Sequence, residues 1–574
     1  MRKLYRAALG LTLAIGACSP DDQITVANNN SPDATRALAR PADVENLISG
    51  SFATWYASAF GGNDNVDNQM KSMAMENGSA LANFAMGPRS AIPRAAISNA
   101  RQNAVSSGNL REFNNFSRAA AAAALGLSRI GTGAGQLTIG STALDNRAKA
   151  FAYLVMGLSH GMLAVTYDSA AFLTVASVGT TPPLVGADSV FKVAIAQLDS
   201  AQAYASDPAT ASAFPLPATW MPSNAFTVAN FVRVIRSYKA KIRASMARNP
   251  TERAAVNWAQ VLADAQAGIT ADFNITTNTT TLFNPQWPAQ MNSYGTWHQM
   301  PPTMIGMADT SGAYVAWITT TPMANRGGTS NPPFVIVTPD LRFPQGTTFN
   351  AQVQYSAGGV VNGCALAACS ATNQIPGVVT GVTGGRPYFR ARPSGENSWD
   401  GSWYNSPYDF YRYRNWFAPT GQNRTGPYPL FLKAENFALI AEAAYRTGNF
   451  VLASNYVDST RVPAGLPAIT PLGLTTTGTV QGTGSAAGCI PKVPTGAQGP
   501  VVCGGLLEAI KYEKRIETAF TSYGAWFLDA RGWGDLPNGT SLQWPTPWQE
   551  LDTRFKTPYN RPTSEVAPTS AYGW

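Results

Sequence analysis

Apolar residues recur at the 0, 3, 4, 7 spacing of an amphipathic helix through the first half of the chain, at Phe151, Leu154, Val155 and Leu158, then at Phe191, Ala194, Ile195 and Leu198. Val228, Phe231, Val232 and Ile235 carry the stripe through Ile242 and Met246. After a break at Asn249-Pro250 it restarts at Trp258, Val261, Leu262, Ala265 and Ile269, which predicts a helical hairpin. Between Thr270 and Pro429 the pattern dissolves among Asn-Thr tracts, glycine pairs, prolines and tryptophans, and only short apolar runs such as Phe334 to Val337 suggest strands. Helical spacing returns at Phe437, Ile440, Ala441 and Ala444, pauses at Gly448-Asn449, and resumes at Phe450, Ala453 and Val457 as a second hairpin. Thr470 to Gly505 is rich in Gly, Thr and Pro. Leu506 to Asp529 then predicts one final helix with Ile516, Phe520, Tyr523 and Phe527 on one face, followed after Pro537 by an irregular tail.

The expected fold is therefore mainly α. Tetratricopeptide-like helical hairpins form a curved platform, with small residues such as Ala441, Ala444 and Ala453 where helices must approach closely, and a large loop-rich region contains short strands. Within a single body spanning 42–574, the helical parts fall at about 42–269, 430–465 and 506–533, and the irregular, ligand-facing parts at about 270–429 and 466–505.

The first residues form a leader. Arg2, Lys3 and Arg6 give a basic start, Ala7 to Ala17 an apolar stretch, and Ile15-Gly16-Ala17 a small-residue site before Cys18, the pattern of a bacterial lipoprotein signal at 1–17. Cleavage leaves Cys18 acylated at the head of a linker over 18–41, and each buried acyl methylene adds about 0.8 kcal/mol of membrane affinity. Ser19-Pro20-Asp21-Asp22 resembles the acidic signals that send lipoproteins to the outer face of the outer membrane. The membrane is expected to hold the chain through that lipid alone.

Charge narrows the partners. Lys and Arg total 41 against 33 Asp and Glu, and 38 against 33 once the leader is removed, with no block of five or six like charges. Nucleic acid is a poor candidate partner. Besides Cys18 the cysteines are Cys364 and Cys369, and Cys489 and Cys503, each pair close in sequence, and two local disulfides fit an exported chain. The chain has two histidines, His160 and His298, and no metal-ligand spacing, Walker loop or dinucleotide fingerprint, so no metal and no cofactor is expected.

Two segments carry a resemblance. Leu432 to Leu466, LKAENFALIAEAAYRTGNFVLASNYVDSTRVPAGL, resembles the late helical hairpin of SusD/RagB-type outer-membrane lipoproteins, with Leu432, Ala438 and Asp458 departing from that pattern. Leu507 to Gly534, LEAIKYEKRIETAFTSYGAWFLDARGWG, resembles the closing signature of the same family. Glu513, Arg515, Glu517 and Phe520 keep their places, Thr521 and Ser522 replace the usual acidic residue and glycine, and Trp526, Asp529, Arg531 and Trp533 recur one or two positions late. The resemblance implies a lipid-anchored, non-enzymatic binding protein facing the cell exterior, which captures oligosaccharides or, in some relatives, peptides. It also implies a partner, a SusC-like TonB-dependent outer-membrane transporter that takes the ligand in. Glu513, Arg515, Glu517, Asp529 and Arg531 are read as scaffold salt bridges and caps.

Sugar recognition needs flat apolar faces rimmed by hydrogen-bonding groups. The irregular region offers two clusters: Trp287, Tyr294 and Trp297 beside Gln290 and Asn292, and Trp399, Trp403 and Tyr404 beside Asn397 and Asp400. A competing enzyme reading comes from Gly157-Leu158-Ser159-His160-Gly161, which matches a nucleophile elbow with Ser159 as the serine of a secreted hydrolase. The residues before it have helical rather than strand character, so the glycines are expected to serve close helix packing.

Overall fold

Several helices begin where the sequence supplies a side-chain acceptor for the first free backbone N–H groups. The structure, a computed structural model, describes residues 34–62, 65–78, 89–103, 106–223, 226–278, 283–284, 299–320, 334–356, 388–392, 406–413, 424–481, 488–561 and 572. Among these, α1 (Pro41–Ala59) opens on a proline, and Asn65 caps α2 (Val66–Met73). The long helix α3 (Ser106–Ser128) follows, and Ser141 caps α4 (Thr142–Thr166). Next come α5 (Ala187–Ser206), α6 (Val228–Ser245), capped by Thr227, α7 (Pro250–Ala255), capped by Asn249, and α8 (Trp258–Gln266), capped by Asn257. After the irregular region, α11 (Lys433–Arg446) and α12 (Phe450–Arg461) make the later hairpin, with Asn449 capping α12. Among the described residues, the short helices α9 (Ala313–Thr320) and α10 (Phe349–Ser356), with a single turn at Pro302–Ile305, lie inside the irregular region, where the apolar spacing predicts none.

The fold is mainly α, built by packing each helix against its neighbour in the chain. Contacts run from α1 to α3, α3 to α4, α4 to α5, α5 to α6, α6 to α8, and across the irregular region from α8 to α11. The predicted stripes face inward: Phe151, Leu154, Val155, Ala194, Leu198, Phe231, Ile235, Val261 and Ala265 are all buried. Ala441, Ala444 and Ala453 pack with Ala509 and Ile510 in a smaller cluster of their own, where short side chains let the helices approach. α4 is long and apolar enough to cross a membrane by length and composition, but most of its apolar stretch is buried by the surrounding helices, as in a core helix.

The strands are short and paired in twos: β1 (Ser169–Ala170) with β2 (Val185–Gly186), β3 (Phe273–Thr277) with β6 (Gly426–Phe431), β4 (Phe389–Ala391) with β5 (Tyr408–Phe410), and β7 (Lys492–Pro494) with β8 (Val501–Cys503). The β3–β6 pair joins the two ends of the irregular region, so the chain from 278 to 425 departs from one neck and returns to it. A disulfide joins Cys489 to Cys503 with their Cα atoms 5.8 Å apart.

Two local expectations fail, each because a distant side chain captures backbone N–H groups. Leu506 to Asp529 is not one helix: α13 (Leu506–Thr518) stops and α14 (Ala525–Trp533) restarts after a turn in which Phe520 has φ +57° and Gly524 φ +56°. In that turn the Phe520 N–H donates to Glu76 Oε1 at 2.6 Å and the Gly524 N–H to Asp67 Oδ1 at 2.5 Å, bonds that replace helical ones. Phe334 to Val337 is not a strand either, since the Ile336 N–H donates to the Tyr408 hydroxyl and the Val337 N–H to Asp309 Oδ1.

Buried ion pairs tie these layers together. Arg253 of α7 is fully buried and donates to Glu442 of α11 at 2.9 and 2.5 Å and to Asp529 of α14 at 3.0 Å, while Lys514 reaches the other oxygen of Asp529 at 2.7 Å. Burial pushes the Glu442 carboxyl upward, but the Arg253 guanidinium, helped by Arg446 and Lys514, overrides it and holds the group at about 2. With an ordinary value near 4.5, that pair contributes stability above pH 4.5 and loses it as pH falls toward 2, about 3 kcal/mol in all. Glu442→Ala, which leaves Arg253 buried without its main partner, is expected to cost about 3–5 kcal/mol in urea unfolding at pH 7, and the difference from the parent should shrink at pH 2 to 3.

Candidate functional site

Tyr408 sits where several segments of the irregular region meet. Its backbone carbonyl accepts from Met300 N–H at 3.0 Å, its hydroxyl accepts from Ile336 N–H at 3.1 Å, and the same hydroxyl donates to Gln352 Oε1 at 2.5 Å. Gln352, on α10, returns its amide to the carbonyls of Ile336 and Gly346. Desolvation raises the Tyr408 hydroxyl above its ordinary value, so it stays a neutral donor.

This collar includes described residues that follow both aromatic clusters closely in the chain. Trp287, Tyr294, Trp297, Trp399, Trp403 and Tyr404 themselves lie outside the described residues, as do His298, Cys18, Cys364 and Cys369. Their stems are described. The segment 285–298 leaves beside Phe283, whose ring packs 5.3 Å from that of Tyr56, and returns at Gln299, which exchanges backbone hydrogen bonds with Gly78 at 2.7 and 3.3 Å. The next residue, Met300, is the one bonded to Tyr408. The segment 393–405 leaves and returns between β4 and β5, where Arg392 N–H donates to Pro407 O at 2.8 Å and Arg392 Nη2 to Ser406 O at 2.7 Å. The Met300–Tyr408 bond therefore draws the foot of the first segment against that of the second, a juxtaposition across more than 100 residues of chain that no local spacing reveals.

Beneath the collar lies a charged floor. Arg342 is buried and donates to Asp340, to Glu513 at 2.7 and 3.2 Å and to Glu517 at 3.0 Å, while Tyr512 donates to Asp340 at 2.6 Å. Tyr388, just before β4, donates to Glu517 at 3.1 Å and lies under the Arg412 guanidinium, 4.0 Å from its ring centre. Burial opposes the charge on Arg342, but the carboxylates of Asp340, Glu513 and Glu517 hold its proton well above the ordinary range. These acids are counterions of the frame. Arg515 pairs with Asp535, and Arg531 donates to the carbonyls of Val165, Ser245 and Leu542 at 2.7 Å each, so the closing-signature residues cross-tie helices. Among the described residues no group of three or more His, Cys, Asp or Glu is placed to hold a metal ion.

Ser159 lies in the interior of the 25-residue helix α4, fully buried, with no partner for its hydroxyl. A nucleophile elbow is a sharp strand-to-helix turn that exposes its serine, and this serine has neither the turn nor the exposure. The flanking glycines serve packing: a Cβ on Gly157 would lie 2.6 Å from Leu198 Cγ on α5, and one on Gly161 2.3 Å from Ile242 Cδ1 on α6. His160 bonds Gln197 through Nδ1 at 2.7 Å and accepts from Leu173 N–H through Nε2 at 2.9 Å. Desolvation lowers it to about 4, so the ring is neutral and acts as a strut between α4, α5 and the following loop.

No protein-family model and no curated protein sequence matches the chain. Solved structures do. A SusD-like protein from Bacteroides fragilis aligns over 88% of each chain at 13% identity with a TM-score of 0.49. A laminarin-binding SusD-like protein aligns over 90% of this chain and 98% of its own at 14% identity with a TM-score of 0.48. A SusD superfamily protein from Bacteroides vulgatus aligns over 87% and 89% at 13% identity with a TM-score of 0.46. At this distance the likeness says nothing about what this chain binds.

Ser159→Ala removes only an unsatisfied buried hydroxyl and is expected to leave the urea midpoint unchanged or raised, whereas Gly157→Val forces a branched side chain against Leu198 and should cost about 1–3 kcal/mol. A lower midpoint for the alanine variant would show that the Ser159 hydroxyl carries an interaction after all.

Proposed function

We propose that this chain is a surface lipoprotein, anchored through Cys18, that captures an oligosaccharide between its two aromatic segments and passes it to a TonB-dependent outer-membrane transporter without chemical change. The observation that carries this reading is the Met300–Tyr408 bond, which brings the feet of the Trp287–Trp297 and Trp399–Tyr404 segments to one collar. A long sugar chain needs several stacking platforms, and the two tryptophan-bearing segments are the candidates to supply them. Further support comes from the lipoprotein signal, from the motifs at 432–466 and 507–534, and from a frame of paired charges that keeps the collar rigid.

The test is a glycan and peptide array on the purified chain with Cys18 replaced, followed by Trp287→Ala, Trp297→Ala, Trp399→Ala and Trp403→Ala. A glycan should bind and be recovered uncleaved, and at least one variant from each segment should weaken it about tenfold, the loss of one stacking platform. Four variants that all bind like the parent would refute the site, and binding confined to peptides would refute the sugar.

A further inference from the structure

Several buried guanidinium groups among the described residues are matched to acceptors. Arg253, Arg342, Arg390 and Arg515 each face a carboxylate, and Arg531, which does not, donates to three carbonyl oxygens. Arg89 meets no carboxylate among the described residues. It is 6% exposed, its Nε donates to Gln69 Oε1 at 3.1 Å, and neither Nη has a hydrogen-bond or ion-pair partner among the described residues. Desolvation with no compensating charge lowers it to about 10.

Gln69, on α2, is itself fully buried, and because its oxygen is taken by Arg89 its amide Nε2 is fixed as the remaining donor. That nitrogen also lacks a partner. The pair therefore presents only donors, a forked cation beside an amide N–H2, with no acceptor to answer them. Leaving a buried charge unanswered costs several kcal/mol, and such a group persists when something outside the frame completes it. Along the chain, α2 continues from Gln69 to Met73, and five residues further on Gly78 pairs with Gln299, the residue that follows the first aromatic segment. Arg94, which donates to the carbonyls of Arg89 and Met73, fixes the backbone on both sides.

We propose that Arg89, with Gln69 beside it, receives an anionic group of the bound sugar, a uronate carboxylate or a sulfate ester, so that the ligand of this protein is an acidic oligosaccharide. The planar fork of an arginine matches two oxygens of such a group at once, and the neighbouring amide serves a third lone pair. The inference rests on the oligosaccharide reading above and adds the charge class of the ligand.

Isothermal titration of the purified chain with oligogalacturonate, with a sulfated galactan and with a neutral galactan distinguishes the two anions from each other and from an uncharged sugar. At least one acidic ligand is expected to bind tenfold or more tighter than the neutral one. Arg89→Gln should remove that preference, a tenfold or greater loss confined to the acidic ligand, and Arg89→Lys should restore it in part. Arg89→Met tells the structural alternative apart: removing an unanswered buried charge should leave the thermal midpoint unchanged or raised while acidic binding is lost. A lowered midpoint in both Arg89→Met and Arg89→Gln with unchanged ligand preference would overturn the inference, as would neutral glycan bound equally well by parent and Arg89→Gln. Arg89-dependent binding of polyglutamate in the absence of any glycan would overturn the sugar in favour of an acidic peptide. Binding of no glycan by the parent, neutral or acidic, would instead bring down the functional reading itself.

Discussion

The ion cluster around Arg342 is the constraint on which the irregular region depends. That region has few backbone ladders: among the described residues its strands are three to six residues long and paired only in twos. A chain with so little internal pairing keeps one shape only if it is nailed to something stiffer. Arg342 does this by joining Asp340 on its own segment to Glu513 and Glu517 on α13, and Arg412 repeats the tie from β5's far end through Tyr388 and Glu517. Each arginine buried here is costly alone and stable only when all its partners are present, so the cluster is cooperative and specifies a single arrangement.

The same device works throughout the helical part. Alanine-rich faces allow close approach but provide little shape to fix the register of one helix on another. Lys71 and Glu76 near α2, Lys241 of α6 with Glu435 of α11, and Arg253 with Glu442 and Asp529 place charges at defined points along those faces. Register errors would leave one of these charges unpaired in the core, a penalty that outweighs whatever methyl packing a slipped helix could offer. The collar around Tyr408 inherits its rigidity from this lattice, and rigidity is what keeps a stacking surface from losing affinity to the entropy of ordering it.

The pair Arg89 and Gln69 differs from these clusters in that a buried cation meets one neutral side chain and, among the described residues, no carboxylate. An unpaired buried cation in a native fold points to function.

The helical part was largely legible in the sequence. Local spacing specified α4, α5, α6, α8, α11 and α12, and Asn249-Pro250 and Gly448-Asn449 marked breaks between them, because amphipathic period and helix-breaking residues act within a turn of one another. Lost to local reading were the break at Phe520, made by Glu76 and Asp67 from more than 400 residues away, and the fate of Phe334 to Val337, whose donors are taken by Asp309 and Tyr408. The candidate aromatics were visible as composition, but their common base was not, since it is a single backbone bond between Met300 and Tyr408. What the chain determines by itself is which segments coil and which face of each is apolar. Which carboxylate meets which arginine, and which donor is left open, is decided only when distant segments are packed, because those pairings are set by three-dimensional distance and desolvation, neither of which exists along a string of residues.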